Sequence, residues 1–260
     1  MTTMSDLFER LRELGLRISA DAIDALLRHA TKSKLSHTQM LEHLVELELR
    51  EREQRNLASR TRAATLGKFK ALDAFDWAHP RTVDKSLYEQ LHHSLDFLER
   101  GDNVLFRGQA GVGKTTLAKN LGLQALAQGH SVRFCTLPAA LADLMRQESL
   151  PATERRLKRY TQPELLILDE LGYIPCDARA ADLLFHIISR RHEQRSVVIT
   201  TNLAFKQWPT VFGDAPCLSA LVDRFAQHCH VFDIDAESWR DKERQERQRR
   251  RKTKSKKTKS

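Results

Sequence analysis

Gly108-Gln109-Ala110-Gly111-Val112-Gly113-Lys114-Thr115 fits the pattern G-x-x-x-x-G-K-[ST] without a mismatch. Its chemistry is the cradling of a phosphate chain. Glycines permit left-handed turns and let backbone N–H groups approach an anion closely. A helix opening near Lys114 presents the positive end of its dipole to the same anion. Lys114 is expected to reach the β- and γ-phosphates of ATP and the Thr115 hydroxyl to ligate Mg2+, with Thr116 ending the nucleotide-contacting run. Three of the chain's ten glycines fall within these eight residues, which argues against a chance match.

A second constellation is Leu165-Leu166-Ile167-Leu168-Asp169-Glu170, an apolar run ending in two acids. Asp169 suits a carboxylate that holds Mg2+ opposite Thr115. Glu170, one residue on, suits the orientation of an attacking water. A third run, Val197–Thr200, leads to Thr201-Asn202. Ligand-contacting residues of open α/β sheets sit at the carboxyl ends of strands, so Asn202 is a candidate sensor of the γ-phosphate or of the lytic water. Arg224, in Leu221-Val222-Asp223-Arg224-Phe225, and Arg240, in Glu237-Ser238-Trp239-Arg240, are candidates for stabilising transition-state charge, in cis or from a neighbouring subunit. Ion pairing with Asp223 or Glu237 is the competing role for these two arginines.

These residues need a scaffold that brings strand ends together. Short apolar strand candidates stand at Val104–Phe106, Val132–Cys135, Leu165–Leu168, Val197–Thr200 and Val231–Ile234. Helical stretches separate them, which predicts an α/β fold with a parallel sheet covered on both faces. One helix is expected through Leu87, Leu91, Leu95 and Leu98, ending at Gly101. Upstream, residues 1–66 contain one glycine and no proline. Gly15 is placed to end a first helix, Ser19 to cap a second, and Ser36 with Gln39 to form a capping box for a third. The expected organisation is a helical domain over residues 1–66, a linker over 67–82, a core over 83–241 and a tail over 242–260. The aromatic, turn-rich Leu72–Pro80 reads as linker docking on the core. Arg55, Arg60, Arg62, Lys68 and Lys70 populate 54–70 without an acid, as a solvated helix face or as a nucleic-acid or partner contact.

Composition narrows the function classes. The chain has 260 residues, 41% hydrophobic and 30% charged, as in a globular protein. No apolar run approaches the roughly 20 residues of a membrane span, and the N-terminus lacks a signal-peptide pattern, so a soluble cytoplasmic protein is expected. Cys135, Cys176, Cys217 and Cys229 show no C-x-x-C pairing and read as free thiols. Cys217, His228, Cys229 and His230 do not make a zinc set, because strand-like alternation turns neighbouring side chains to opposite faces. The net charge of +9 is concentrated: nine of the 43 Lys and Arg residues lie between Arg247 and Ser260 with no acid among them. Without those nine, 34 basic residues face 34 acids.

The segments GQAGVGKTTLA, LLILDELGYIP, VVITTN, LVDRF and ESWR, in this order, resemble the IstB-type transposition helper ATPases. These are AAA+ proteins related to the DnaC helicase loader and the DnaA initiator, and the resemblance extends to the N-terminal helices and the LDAFDW linker. It implies a small all-helical domain followed by an AAA+ P-loop core with a five-stranded parallel sheet and no C-terminal lid domain. It implies ATP-dependent self-assembly as a homo-oligomer on double-stranded DNA, DNA bending, and recruitment and stimulation of an IstA-type transposase. Asn202 takes the first-sensor place, Arg224 the arginine-finger place, and Arg240 resembles the second sensor of the loaders. The initiator-related branch touches DNA through helices between the second and third strands. The matching stretch here makes Arg146, Arg155, Arg156, Lys158 and Arg159 DNA-binding candidates, in a run that also suits a solvated helix. A DnaC-like replicative helicase loader is the alternative reading. A small-molecule kinase is disfavoured by the second acid beside Asp169 and by the cationic tail.

A Lys/Arg tail with no aromatic or apolar face is expected to be disordered and to add non-specific DNA affinity. Deleting residues 247–260 should flatten the salt dependence of DNA binding, by up to about 0.9 in slope for each phosphate the tail had neutralised, while ATP-controlled assembly persists. Loss of assembly at low salt on deletion would refute that view of the tail.

Overall fold

Short-range capping shapes the N-terminal helices. Helix α1 (Met4–Glu13) stops two residues before Gly15, whose φ of +83° lets its N–H reach the Arg12 carbonyl at 2.9 Å. Ser19 caps α2 (Ala20–Ser33) by accepting from the Ala22 N–H at 3.2 Å. Ser36 and Gln39 form the reciprocal box before α3 (His37–Ala64). The Ser36 N–H donates to Gln39 Oε1 at 2.9 Å, and the Gln39 N–H donates to Ser36 Oγ at 3.2 Å. The computed structural model describes residues 4–173, 176–213, 215–239 and 244; Arg240 and the basic stretch 247–260 lie outside the described residues. The chain divides into two compact units, Met1–Arg62 and Ala63–Ser260.

In the first unit the apolar face of α3 carries one acid. Glu48 is 5% exposed and accepts from the Arg17 N–H at 2.8 Å, from Arg52 at 3.3 Å and from Arg55 at 3.0 Å. Burial would raise its carboxyl pKa, but the Arg17 bond and the charges of Arg55 and Arg52 outweigh burial and hold it below its ordinary value. Arg55 also binds Glu51 and the Arg17 carbonyl, so this member of the basic run is engaged within its own unit. Lys68 and Lys70 come after α3 has ended.

The second unit is built on a sheet whose central strands are buried on both faces. Its elements are α4 (Lys85–Ser94), α5 (Asp96–Arg100), β1 (Asn103–Gly108), α6 (Lys114–Ala127), β2 (Val132–Thr136), α7 (Leu137–Met145) and α8 (Leu150–Thr161). They continue with β3 (Leu165–Leu171), α9 (Ala178–Arg191), β4 (Ser196–Thr201), α10 (Pro209–Phe212), α11 (Leu218–Ala226) and β5 (Cys229–Ile234). The strands form one parallel sheet in the order β2-β3-β4-β1-β5. Alternation along β3 supplies both faces: Leu165 and Ile167 join the core under α4 and α6, while Leu166 and Leu168 join the core under α7, α9 and α11.

One expected helix is two. The stretch 85–100 breaks at Leu95, which has φ 55° and ends α4 before α5 begins. Leu95 and Phe97 are both buried, and on one continuous helix they would point roughly 200° apart. The break turns both inward at the cost of a left-handed residue. A second anchor is Arg191, fully buried, which donates to the carbonyls of Tyr160, Thr161, Pro163, Glu164 and Ser196. It ties the end of α8 to the starts of β3 and β4. Burial, with Arg195 adding to it, pushes its guanidinium down to about 9. Among the described residues no helix is long and apolar enough to cross a membrane.

The Glu48 network predicts a pH-dependent contribution. Its pKa is lower in the folded unit than its ordinary 4.5, so its contribution is complete above that value and is lost as pH falls through the folded value. Glu48→Gln should cost on the order of 1 kcal/mol at pH 7 and less at pH 3, where the contribution has begun to be lost. Urea titrations at both pH values read this, and an equal gap at both would contradict it.

Candidate active site

The glycine loop is shaped by what lies against it. Strand β1 delivers residues 108–113 to the N-terminus of α6, and Val112 is buried beneath them. Gly111 and Gly113 have φ of +84° and +99°. A Cβ on Gly113 would stand 2.6 Å from Cε2 of Phe75, and one on Gly111 would stand 2.5 Å from Ser238 Oγ. Two distant stretches of chain therefore press on the loop wherever it lacks side chains. Gln109 and Ala110 stay exposed at its tip. Lys114, 6% exposed, folds over the loop, and Nζ donates to the carbonyls of Gly108 and Gln109, each at 2.7 Å.

The acids meet the loop at one point. Thr115 Oγ1 donates to Asp169 Oδ1 at 2.8 Å and lies 3.1 Å from Oδ2. Asp169 is 4% exposed and accepts a further bond from the Thr200 hydroxyl on β4. Glu170 is exposed, with φ 68° in the left-handed region, where the β3–β4 register shifts between Leu168 and Leu171. Bulges beside active sites re-aim side chains in this way. A hydroxyl and a carboxylate facing each other are a hard-oxygen pair of the type Mg2+ takes, and the Thr115–Asp169 bond is one a cation can replace. The residues present fit that ion.

A cavity of about 500 Å³ opens in front of this pair. Gly111–Thr116, Asp169, Glu170 and Thr200 line one part of it, and Lys68, Lys70, Phe75, Asp76, His79 and Trp239 line another. The linker thus forms a wall of the site. Its position is held by the Asn120 amide donating to the Lys70 carbonyl at 3.0 Å and by the Thr82–Asp235 bridge to the segment after β5. The Trp239 N–H donates to the Gly111 carbonyl at 3.0 Å, and His79 meets the Trp239 ring edge-on at 4.8 Å between centroids. Lys119 sits 4.2 Å from the Phe134 ring centre; burial lowers its pKa against the opposing charge of Asp169. Lys68, Lys70, Lys114 and Lys119 outnumber Asp76, Asp169 and Glu170, a balance suited to a polyanion.

Other expected residues fall elsewhere. Asn202 does not line this cavity but a neighbouring hollow of about 530 Å³, with Arg107, Gly108, Gln109, Lys206 and Asp233, and its Oδ1 lies 3.2 Å from where a Cβ on Gly172 would stand, beside the end of β3. Arg224 bonds Ser189 on α9, with its guanidinium 4.9 Å from the Phe185 ring centre, and does not line the cavity. Arg240 lies outside the described residues. Arg146, Arg155, Lys158 and Arg159 are exposed on the α7–α8 segment. Arg156 makes two bonds to Asp143, at 2.7 and 2.5 Å, and braces α7 to α8, while Arg159 reaches the same carboxylate only loosely, at 3.9 Å. The Arg156 bonds hold the Asp143 carboxyl below its ordinary pKa, with the Tyr160 hydroxyl helping against burial. Sequence reasoning missed Phe75, His79, Lys119, Thr200 and Trp239. Only the aromatic density of the linker carries a signal, and by itself it reads as docking.

The core resembles solved structures of replication proteins. DnaI matches with a TM-score of 0.54 at 17% identity, over 63% of this chain and 90% of that one. The DnaC helicase loader matches at 0.50 and 21%, over 64% and 96%. A structure of the replication initiator DnaA bound to AMPPCP and single-stranded DNA matches at 0.55 and 18%, over 66% and 52%. At these identities the likeness is one of fold. The sheet, the loop after β1 and the acid pair of β3 define an α/β core of the AAA+ fold.

The family profile described as IstB-like ATP binding protein matches residues 9–247, and the chain belongs to that family. A protein of insertion sequence IS5376 from Geobacillus stearothermophilus, named for ATP binding, is 32% identical over 91% of this chain and 96% of its own length. The similarly named protein of insertion sequence IS21 from Pseudomonas aeruginosa is 35% identical over 93% and 91%.

Phe75 sits where a Cβ of residue 113 would go, at a backbone angle that L side chains rarely adopt. Gly113→Ala should weaken ATP binding at least about tenfold while leaving the fold intact. Calorimetric titration of the variant reads this, and wild-type affinity would contradict it.

Proposed function

We propose that this ATPase uses ATP to assemble on double-stranded DNA as a homo-oligomer, remodels that DNA, and recruits and stimulates an IstA-type transposase. The observation that carries the ATP half is the convergence of Lys114, Thr115, Asp169 and Glu170 on one cavity. The DNA half is supported by the insertion-sequence relatives and by the exposed cations of α7–α8. The helicase-loader alternative rests on fold likeness alone, whereas the insertion-sequence proteins share about a third of their residues with nearly the whole chain.

In this reading Lys114 leaves the loop carbonyls for the β- and γ-phosphates, and the loop N–H groups and the α6 dipole hold the remaining charge. Thr115 and Asp169 hold Mg2+, which when bound supplies charge neutralisation at the phosphates. Glu170 orients a water and takes its proton as the water oxygen bonds the γ-phosphorus and the bond to the β,γ-bridging oxygen breaks, releasing ADP and inorganic phosphate. Asn202, beyond the end of β4, is the sensor that hydrogen-bonds the γ-phosphate or the lytic water. Arg224, held on α9 away from its own cavity, serves a neighbouring subunit. Arg240 is the second-sensor candidate. Exposed Arg146, Arg155, Lys158 and Arg159 contact DNA phosphates, while Arg156 positions the helices that carry them.

ATPase rate and particle size, each measured with and without duplex DNA, test the proposal. Glu170→Gln should keep ATP affinity, slow hydrolysis by about 100-fold or more, and trap large DNA-bound particles. Lys114→Ala should lose both nucleotide binding and ATP-dependent assembly. Wild-type hydrolysis by the first variant would remove Glu170 as the base; normal assembly by the second would remove ATP as the switch.

A further inference from the structure

Glu170 and Asp169 are adjacent in sequence but need different things. Asp169 must stay buried as an acceptor, and Glu170 must project into the cavity. In a regular strand, neighbouring side chains point to opposite faces, which by itself would carry Glu170 away from Asp169. The strand escapes this at the register shift between Leu168 and Leu171, where Glu170 adopts φ 68°. A non-glycine residue in that region carries strain and persists only if surrounding bonds over-determine it.

The bond that does so comes from Thr200. This β4 residue is 1% exposed. Its hydroxyl accepts from the Glu170 N–H at 3.1 Å and donates to Asp169 Oδ1. A hydroxyl has one proton to give and lone pairs to accept with, and both capacities are used here, one on each acid. Asp169 Oδ1 receives two hydroxyls, from Thr115 and from Thr200. If Thr115 turns its oxygen to a cation, Thr200 is the hydroxyl that still orients the carboxylate. The next residue differs: Thr201 Oγ1 donates to the Leu171 carbonyl at 2.8 Å and accepts from the Leu203 N–H at 3.0 Å, touching neither acid.

We infer that Thr200 is the positioning residue of this ATPase, a single buried hydroxyl that sets the Asp169 carboxylate and pins the Glu170 backbone so that its side chain faces the cavity. The inference rests on Glu170 being the base proposed above. It concerns kcat rather than affinity, since Thr200 holds the acids and not the phosphate loop.

The test compares Thr200→Val, which keeps the shape and removes the hydroxyl, with Thr200→Ser, which keeps the hydroxyl, and with Thr201→Val as a control for the removal of buried hydrogen bonds. Melting temperature, affinity for a non-hydrolysable ATP analogue and kcat are measured for each. Thr200→Val should lower kcat about 10- to 100-fold, as misplacement by an ångström does, with affinity within about threefold of wild type. Thr200→Ser should recover most of the rate, and Thr201→Val should lose melting temperature but not kcat. In a Glu170→Gln background, Thr200→Val should add less than its full factor, because one of the two acids it positions is gone while Asp169 remains. Should the valine variant not fold, Thr200→Ala takes its place. Wild-type kcat in folded Thr200→Val, beside a slow Glu170→Gln, overturns the role of Thr200, as does a full multiplicative effect in the double variant. Wild-type hydrolysis by Glu170→Gln alone overturns instead the assignment of the base.

Discussion

A carboxylate buried at the end of a central strand costs free energy unless donors meet it there, and Asp169 is such a carboxylate. Its donors come from two other elements: Thr115 from the first turn of α6, and Thr200 from β4. Meeting that one need fixes where α6 begins relative to β3, and how the ends of β3 and β4 are registered. The glycine loop, strung between β1 and α6, is then held at both ends. Lys114 lies along it, and Glu170 leaves the strand at the one place where the ladder is interrupted.

The remaining wall of the cavity is recruited from far along the chain. Phe75 occupies the space that Gly113 leaves, and the Trp239 N–H reaches the Gly111 carbonyl. The loop glycines thus serve two purposes: their φ values aim N–H groups inward, and their missing side chains admit neighbours that close the site. Residues of the linker, among them Phe75, thus lie directly against the loop. Charge is handled locally as well. The cavity carries four lysines against three acids, although the chain outside its last fourteen residues is electrically balanced.

The segment between β2 and β3 separates structural from available charge. Arg156 and Asp143 brace α7 against α8, and Arg191 fastens the end of α8 to the sheet through five carbonyls. The cations around this brace remain in solvent on a rigid support. A run of four basic residues in five therefore contains at least two roles that composition alone cannot separate.

The loop, the acid pair, the five strands and the three N-terminal caps were legible in the sequence. Each is written in contiguous residues whose spacing follows the local period of a turn, strand or helix. Only the tertiary structure decided that Thr200 serves both acids, that the linker is a wall of the site, and that Asn202 lines a neighbouring hollow. It also decided that Arg156 is an ion-pair partner and that residues 85–100 break at Leu95. These outcomes depend on residues 31 apart for Thr200 and Asp169, 54 apart for Thr115 and Asp169, and 50 apart for Asn120 and Lys70. No local period encodes such separations. They follow from burying the central strands of one sheet on both faces and from meeting polar groups, such as the Asp169 carboxylate, that burial removes from water.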